Sequence, residues 1–352
     1  MTEGLRESPA VRRAFASQAE YCRRLGSPFA AGVCEALAAE LDASSTTGRA
    51  ILEWTGDPSP LADNLPLRAI GALNALARAQ LAPYLSALYP PNPMPATSVL
   101  TRAVLRALHE HPDLVLAFLR SPPQTNEVGR SAILIGGFLM IASKTGLPLD
   151  VYEIGSSAGL NLRADQYRYR LGDAAWGVPH SPLFLAPKWE GPPPPVDAAL
   201  AIRSRLGCDA MPIDLQSAAA RERLIAYVWP DQADRIARLE AAIDIALASP
   251  VTIDAAEAAD WVERRIDLAR VAGITRVLFH SVVWSYLSDD SRNRIGAHMN
   301  RAGAAAASDA PLAWLRFELA DPPELRLTLW PSGEEKVLAH AHPHGAWVRW
   351  HV

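Results

Sequence analysis

Cysteine is scarce in this chain: Cys22, Cys34 and Cys208 are the three present, odd in number and never in C-x-x-C spacing. That excludes a disulfide framework and a four-thiolate zinc site, and it fits a reducing compartment. An excess of one charge sign is lacking as well. With 34 basic and 38 acidic residues the formal net charge is −4, too small for the field that a nucleic-acid or membrane partner requires. Long hydrophobic runs are also missing, since the longest, 132–142, falls short of the ~20 residues that span a bilayer. The amino terminus has early acids and arginines and no apolar stretch of signal-peptide length, so a cytoplasmic location is expected. What the chain does have is length. At 352 residues, 49% of them apolar, it exceeds the usual single core, which predicts two domains or one domain with a sizeable extension.

The first third carries helical periodicity. Phe15, Ala19, Cys22 and Leu25, then Phe29, Val33, Leu37 and Leu41 after a break at 26–28, recur at three- and four-residue steps, predicting amphipathic helices. Further helices are predicted at 51–54, 66–88 and 99–119, with Ser98 as a cap and Pro112 as a kink or split. Ser121, Pro122 and Pro123 then mark the clearest boundary. This gives an all-α domain over residues 1–122 and an α/β domain over residues 123–352. The apolar helix after the boundary reaches Thr145, with Thr125 or Asn126 as its cap and Glu127 in its first turn. Arg130, at the start of so apolar a helix, needs an anionic partner or solvent. Because this helix precedes the central strand, Asn126, Glu127 and Arg130 are candidate substrate-binding residues at a pocket rim.

The organising stretch is 149–162, a short apolar strand ending in Glu153-Ile154-Gly155-Ser156-Ser157-Ala158-Gly159. A helix is expected from Ala158 to Tyr169. Gly155 suits positive φ and close approach of another molecule, and Gly159 suits close helix packing. Ser157 stands where a dinucleotide fingerprint has its second glycine, and Glu153 precedes the turn. That arrangement suits a ligand with a cationic group.

Short strand-like pieces at about 167–196, ending in four prolines, predict an inserted hairpin and spacer. A second strand, 199–206, leads to Asp209, whose two oxygens can accept from vicinal ribose hydroxyls. Asp214 is its rival, or a helix cap. Asp231 is a further cap candidate, for the helix that follows it. A third strand, 251–255, is followed by Glu257; it and Asp254 are candidate site acids at the strand end, or solvent-exposed turn acids. A fourth strand from Thr275, adjacent to the first, presents His280 at its end. Histidine titrates near neutrality and can act as base, or it satisfies backbone groups there. Trp284 and Tyr286 wall a substrate pocket or belong to the core. The last strands are 312–319, 324–330 and 337–350, the latter two joined in a hairpin by 331–333. His340, His342 and His344 alternate along the final strand, but Pro343 disturbs their geometry and no metal site is expected.

Glu-x-Gly-x-x-x-Gly at 153–159 resembles the first motif of class I methyltransferases, which bind S-adenosylmethionine. The resemblance implies that Glu153, Gly155, Ser156, Ser157 and Gly159 hold the methionine end of that cofactor, and that Glu257 or Asp254 meets its adenine edge. Taken together, Gln-Thr-Asn-Glu-Val-Gly-Arg-Ser (124–131), Glu-Ile-Gly-Ser-Ser-Ala-Gly-Leu-Asn (153–161), Gly-Cys-Asp-Ala-Met-Pro-Ile-Asp (207–214), Val-Trp-Pro-Asp-Gln (228–232), His-Ser-Val-Val-Trp (280–284) and Trp-Pro-Ser-Gly (330–333) resemble a bacterial family of unknown function. That resemblance implies a doubly wound, mostly parallel sheet of class I methyltransferase type with a terminal antiparallel hairpin and a helical amino-terminal extension. The activity expected is methyl transfer to a small molecule. A non-catalytic module that binds S-adenosylmethionine or S-adenosylhomocysteine is the alternative, and an NAD-dependent oxidoreductase is disfavoured by Ser157 and Glu153.

Overall fold

Proline sets where many of the amino-terminal helices begin, because a residue without an N–H loses nothing in a first helical turn. The computed structural model describes residues 8–60, 62–266 and 271–352. Its first helices are α1 (Pro9–Arg24), α2 (Pro28–Glu40), α3 (Thr46–Leu52), α4 (Leu65–Arg78), α5 (Pro83–Ser86), α6 (Thr97–Glu110) and α7 (Pro112–Arg120). Five of these seven have proline in the first two positions. Pro112 splits the predicted 99–119 helix in two. The predicted 66–88 helix also divides, where Gln80 takes φ +55° before Pro83. Ser98 lies inside α6 and does not cap it.

After a 3₁₀ turn at Val128–Arg130, α8 (Ser131–Thr145) runs to Gly146, at φ +64°, and into β1 (Leu149–Ile154). The turn is capped by the Glu127 carboxylate, which accepts from the Gly129 amide at 3.0 Å, so neither Thr125 nor Asn126 is the cap. The α-helix expected from Ala158 is absent. In its place are two turns of 3₁₀ helix, Asn161–Gln166, leading to β2 (Arg168–Leu171), β3 (Ala174–Gly177) and β4 (Phe184–Leu185), which form a separate three-stranded sheet. Then come β5 (Lys188–Glu190), β6 (Ile202–Asp209), α9 (Ala218–Ala226), α10 (Ala233–Ala248), β7 (Thr252–Ala255) and α11 (Ala258–Arg265). The chain ends with β8 (Thr275–Ser281), α12 (Asp289–Ala304), β9 (Leu312–Glu318), β10 (Glu324–Trp330), β11 (Glu334–Ala341) and β12 (Trp347–Trp350).

Nine strands form one sheet in the order β5-β12-β11-β10-β9-β8-β1-β6-β7. From β7 through to β9 all neighbours are parallel, and β9 to β12 are antiparallel. The hairpin at 331–333 joins β10 to β11. The single strand predicted at 337–350 is broken at Gly345, φ +70°, into two antiparallel strands.

Helices cover both faces. On one, α8 brings Phe138 edge-on to Phe279. Its Gly136 lies so close to Trp350 that a Cβ would sit 2.7 Å from the ring. On the other, α11 and α12 enclose Ile154, Leu278, Leu312 and Trp314 with Trp261, Ile295 and Met299. The stretch Val128–Thr145 is long and apolar enough to cross a membrane, but 72% of it is buried in the fold, where it packs the sheet. The order reverses at β1, with β6 and β7 on one side and β8 and β9 on the other, so the crevice expected of an open parallel sheet lies at the carboxyl ends of these strands.

Residues divide into two compact units, one up to Thr125 together with Ser217–Ala237, the other Asn126–Gln216 together with Arg238–Val352. The sequence reading placed 217–237 with the α/β part. In the first unit Ala226, Tyr227 and Trp229 join the core of Phe15, Phe29, Leu37 and Leu73, and Asn74 donates to the Ala226 carbonyl at 2.9 Å. Asp231 caps α2 and not the helix after it: its Oδ2 accepts from the Phe29 amide at 2.8 Å and its Oδ1 from the Ser27 hydroxyl. Asp231→Ala is expected to cost about 0.5–2 kcal/mol, read as a lower urea midpoint at unchanged slope, and an unchanged midpoint would show that the cap contributes nothing.

Candidate functional site

Three positive-φ residues in five shape the turn after β1: Gly155 at +68°, Ser157 at +54° and Gly159 at +68°. They aim the Ser157 amide sideways, at the end of β6, where Asp209 Oδ2 accepts it at 2.9 Å. Asp209 Oδ1 accepts from the Met211 amide at 2.9 Å. The Ser156 amide donates to the Cys208 carbonyl at 3.0 Å, and its hydroxyl to the Glu153 carbonyl at 2.9 Å. Gly155, expected from the sequence to let another molecule approach, is instead covered: a Cβ built there would stand 2.4 Å from Val283 Cγ2. Gly159 faces β7, where a Cβ would stand 2.8 Å from Ile253 Cδ1.

Glu153 is 1% exposed, and its Oε2 has no hydrogen-bond partner among the described residues. Burial pushes its carboxyl well above the usual carboxylate range. The Asp209 charge adds to the rise, while the Ser156 hydroxyl and the guanidinia of Arg163 and Arg130 oppose it. Arg163 is a residue the sequence reading passed over. It is 3% exposed and donates to the carbonyls of Gly159 (2.6 Å), Ser249 (2.8 Å) and Ala246 (3.3 Å), tying the glycine turn to the carboxyl end of α10, where a cation suits the helix dipole.

The predicted rim residues do reach this end of the sheet. Asn126 Oδ1 accepts from the Leu160 amide at 2.9 Å. Arg130 meets carbonyls, with Nη1 3.0 Å from Ser281 O and Nε 3.0 Å from Pro343 O. Glu257 is spent elsewhere: it caps α11 through the Asp260 amide at 2.9 Å and accepts from the Ser291 hydroxyl at 2.6 Å. Its rival Asp254 accepts from Trp261 Nε1 at 2.7 Å and from Arg265 at 2.6 Å.

His280 lies at the end of β8, but on the other face. In register Glu153 pairs with Phe279, and side chains alternate along a strand, so Glu153 and His280 leave opposite faces. Asp209 shares the Glu153 face, two residues beyond the Glu153 partner Gly207. The His280 ring is fully buried, stacked on Trp284 at 5.1 Å and 12°. Its Nδ1 is 2.6 Å from Glu318 Oε1, and its Nε2 has no partner among the described residues. Glu318, at the end of β9, was not singled out from the sequence. Trp284 packs edge-on to Trp314, whereas Tyr286 is 61% exposed. Of the late histidines, His340 pairs with His351 at 2.6 Å, and His342 accepts from the His344 amide at 3.1 Å.

A family described as "Uncharacterized protein conserved in bacteria (DUF2332)" matches residues 12–350. No curated protein matches the chain, and no solved structure does.

A carboxyl raised by burial keeps its proton to higher pH in the folded than in the unfolded chain, so folded stability falls as pH rises above the ordinary carboxyl range and levels off past the raised value. Glu153→Gln removes this loss. Its melting temperature relative to the native protein is expected to climb as pH rises above the ordinary carboxyl range, followed by calorimetry, and a pH-independent difference would show that the Glu153 carboxyl is not raised by folding.

Proposed function

The chain belongs to that bacterial family, and we propose that it is an S-adenosylmethionine-dependent methyltransferase acting on a small molecule. The observation that carries this reading is the pair of carboxyl groups at the reversal point of the sheet. Glu153, buried with an unpartnered oxygen, ends the central strand, and Asp209 reaches the same turn from the adjacent parallel strand on the same face. The sheet order around β1, the positive-φ turn and this acid pair are together what class I methyltransferases resemble.

The donor set suits the nucleoside. A cationic amino group would satisfy Glu153 and favour its ionised form. The turn of Gly155, Ser156, Ser157 and Gly159 would hold the methionine part, and Asp209, whose oxygens each keep a lone pair beyond the amide they accept, would hold the ribose. Glu257, which serves the first turns of α11 and α12 on the face of the sheet opposite Glu153, drops out of this set. When bound, the nucleoside supplies an electrophilic methyl group on a sulfonium sulfur. The chain binds, orients and excludes water, a contribution of about 7–11 kcal/mol in favourable cases. His280, held at Nδ1 by Glu318, takes the acceptor's proton at Nε2. Asn126, Glu127 and Arg130 line the acceptor side. The burial of His280 beneath Trp284 favours a second reading, a non-catalytic module for the same nucleoside, which turnover of any acceptor excludes.

S-adenosylhomocysteine is expected to raise the melting temperature, and NAD is not. Asp209→Ala is expected to weaken its binding about ten- to a hundredfold by calorimetric titration, the loss of about 1.5–3 kcal/mol from hydrogen bonds to a charged group. Absence of S-adenosylhomocysteine binding, or an Asp209→Ala variant that binds as tightly as the native chain, sinks the reading.

A further inference from the structure

The segment that follows β8 closes over the glycine turn, and one carboxylate keeps it there. Val283 covers Gly155. Glu318 Oε1 accepts from the Val283 amide at 3.2 Å and lies 2.6 Å from His280 Nδ1, while its Oε2 accepts from the Trp284 amide at 3.2 Å. Three donors within five residues converge on one side chain. The same segment is strained, since Val282 takes φ +54°, a conformation that a β-branched residue adopts only when its surroundings impose it. Its amide donates to the Phe317 carbonyl at 2.8 Å, one residue before Glu318. At this end of the sheet, on its opposite faces, two buried polar atoms, Glu153 Oε2 and His280 Nε2, have no partner among the described residues. Both are sealed from water, so a ligand that uses either must first displace something.

We propose that residues 282–286 are the gate of the nucleoside site and that Glu318 is the positioning residue that holds the gate shut, an inference that rests on the reading of the turn given above. Opening breaks the Val283 and Trp284 bonds to Glu318, uncovers Gly155, lifts Trp284 from His280 and releases the Val282 backbone. Closing over a bound nucleoside restores these two bonds and excludes water from the turn. The two ends of the latch have opposite signs. Glu318→Gln keeps the shape of the side chain but sets an amide donor against a backbone donor, and so favours the open form. Val282→Gly removes the conformational penalty and favours the closed one.

Amide hydrogen exchange of the full chain, with S-adenosylhomocysteine association followed by stopped-flow fluorescence, tests this. In Glu318→Gln the Val283 and Trp284 amides are expected to exchange about tenfold faster, or more, with association faster, while amides in the middle of β8 and β9 keep their native rates and report an intact sheet. In Val282→Gly both rates are expected to fall. Unchanged exchange at Val283 and Trp284 in Glu318→Gln overturns the latch. Faster exchange with an unaltered association rate overturns the gate. If exchange responds as stated but the native chain does not bind S-adenosylhomocysteine, the nucleoside reading has failed and the gate with it, while the hold of Glu318 on the segment stands.

Discussion

One hydrogen bond, from the Ser157 amide to the Asp209 carboxylate, constrains everything around the carboxyl end of the sheet. Around that amide Gly155, Ser157 and Gly159 all take positive φ, at about 1–2 kcal/mol for the non-glycine member. Three such residues in five cannot begin a right-handed helix. The chain therefore leaves β1 through 3₁₀ turns and an inserted small sheet before it returns as β6. The turn then has no α-helix amino terminus behind it, and the polarity available to a ligand comes from side-chain carboxylates and individual amides, not from a helix dipole.

The buried charges near this turn are treated in two ways. An isolated ion inside a protein costs several kcal/mol, and hydrogen bonds to a charged group return about 1.5–3 kcal/mol each. Arg163 makes three, all to carbonyls, which is enough to keep it ionised while buried. Arg130 donates to the carbonyls of Ser281 and Pro343 and is only partly buried. Glu153 has an oxygen with no partner among the described residues, so the balance falls the other way and burial holds its carboxyl well above the usual carboxylate range. The result is an acid whose ionised form is disfavoured, beside cations that carbonyls satisfy. A cationic ligand group at that oxygen reverses the balance without any movement of the sheet.

Much of the α/β architecture was legible in the sequence because it rests on local apolar runs: β1, β7, β8 and β9 lie within a residue or two of their expected places, and β8 is beside β1. What was not legible depends on partners distant in sequence. Asp231 looked like the cap of the next helix, but the donors it serves are near residue 28. The 217–237 stretch has the amphipathic composition of any surface helix, and only its packing on Phe29, Leu37 and Leu73 assigns it to the first unit. The non-helical exit from the turn was hidden because Ser157, not a glycine, carries one of the positive φ values. The His280 position at a strand end was read correctly, but its face depends on the register with Glu153. Glu318 gave no signal, since an acid at the end of an apolar strand is ordinary until three donors are found around it.

The strain at Val282 and the convergence on Glu318 explain each other. A β-branched residue at φ +54° costs about 1–3 kcal/mol and would relax if nothing opposed it. Three hydrogen bonds to one carboxylate oppose it, and because the Glu318 side chain is 21% exposed, each is discounted to about 1 kcal/mol. The two contributions nearly cancel, leaving the closed segment favoured by no more than about 2 kcal/mol, with an open form populated at about 3% or more. A glycine at position 282 would have made the same turn without cost and would have locked it. Valine keeps the two forms close in energy, and that near-balance lets a ligand with modest affinity for the uncovered turn shift the population.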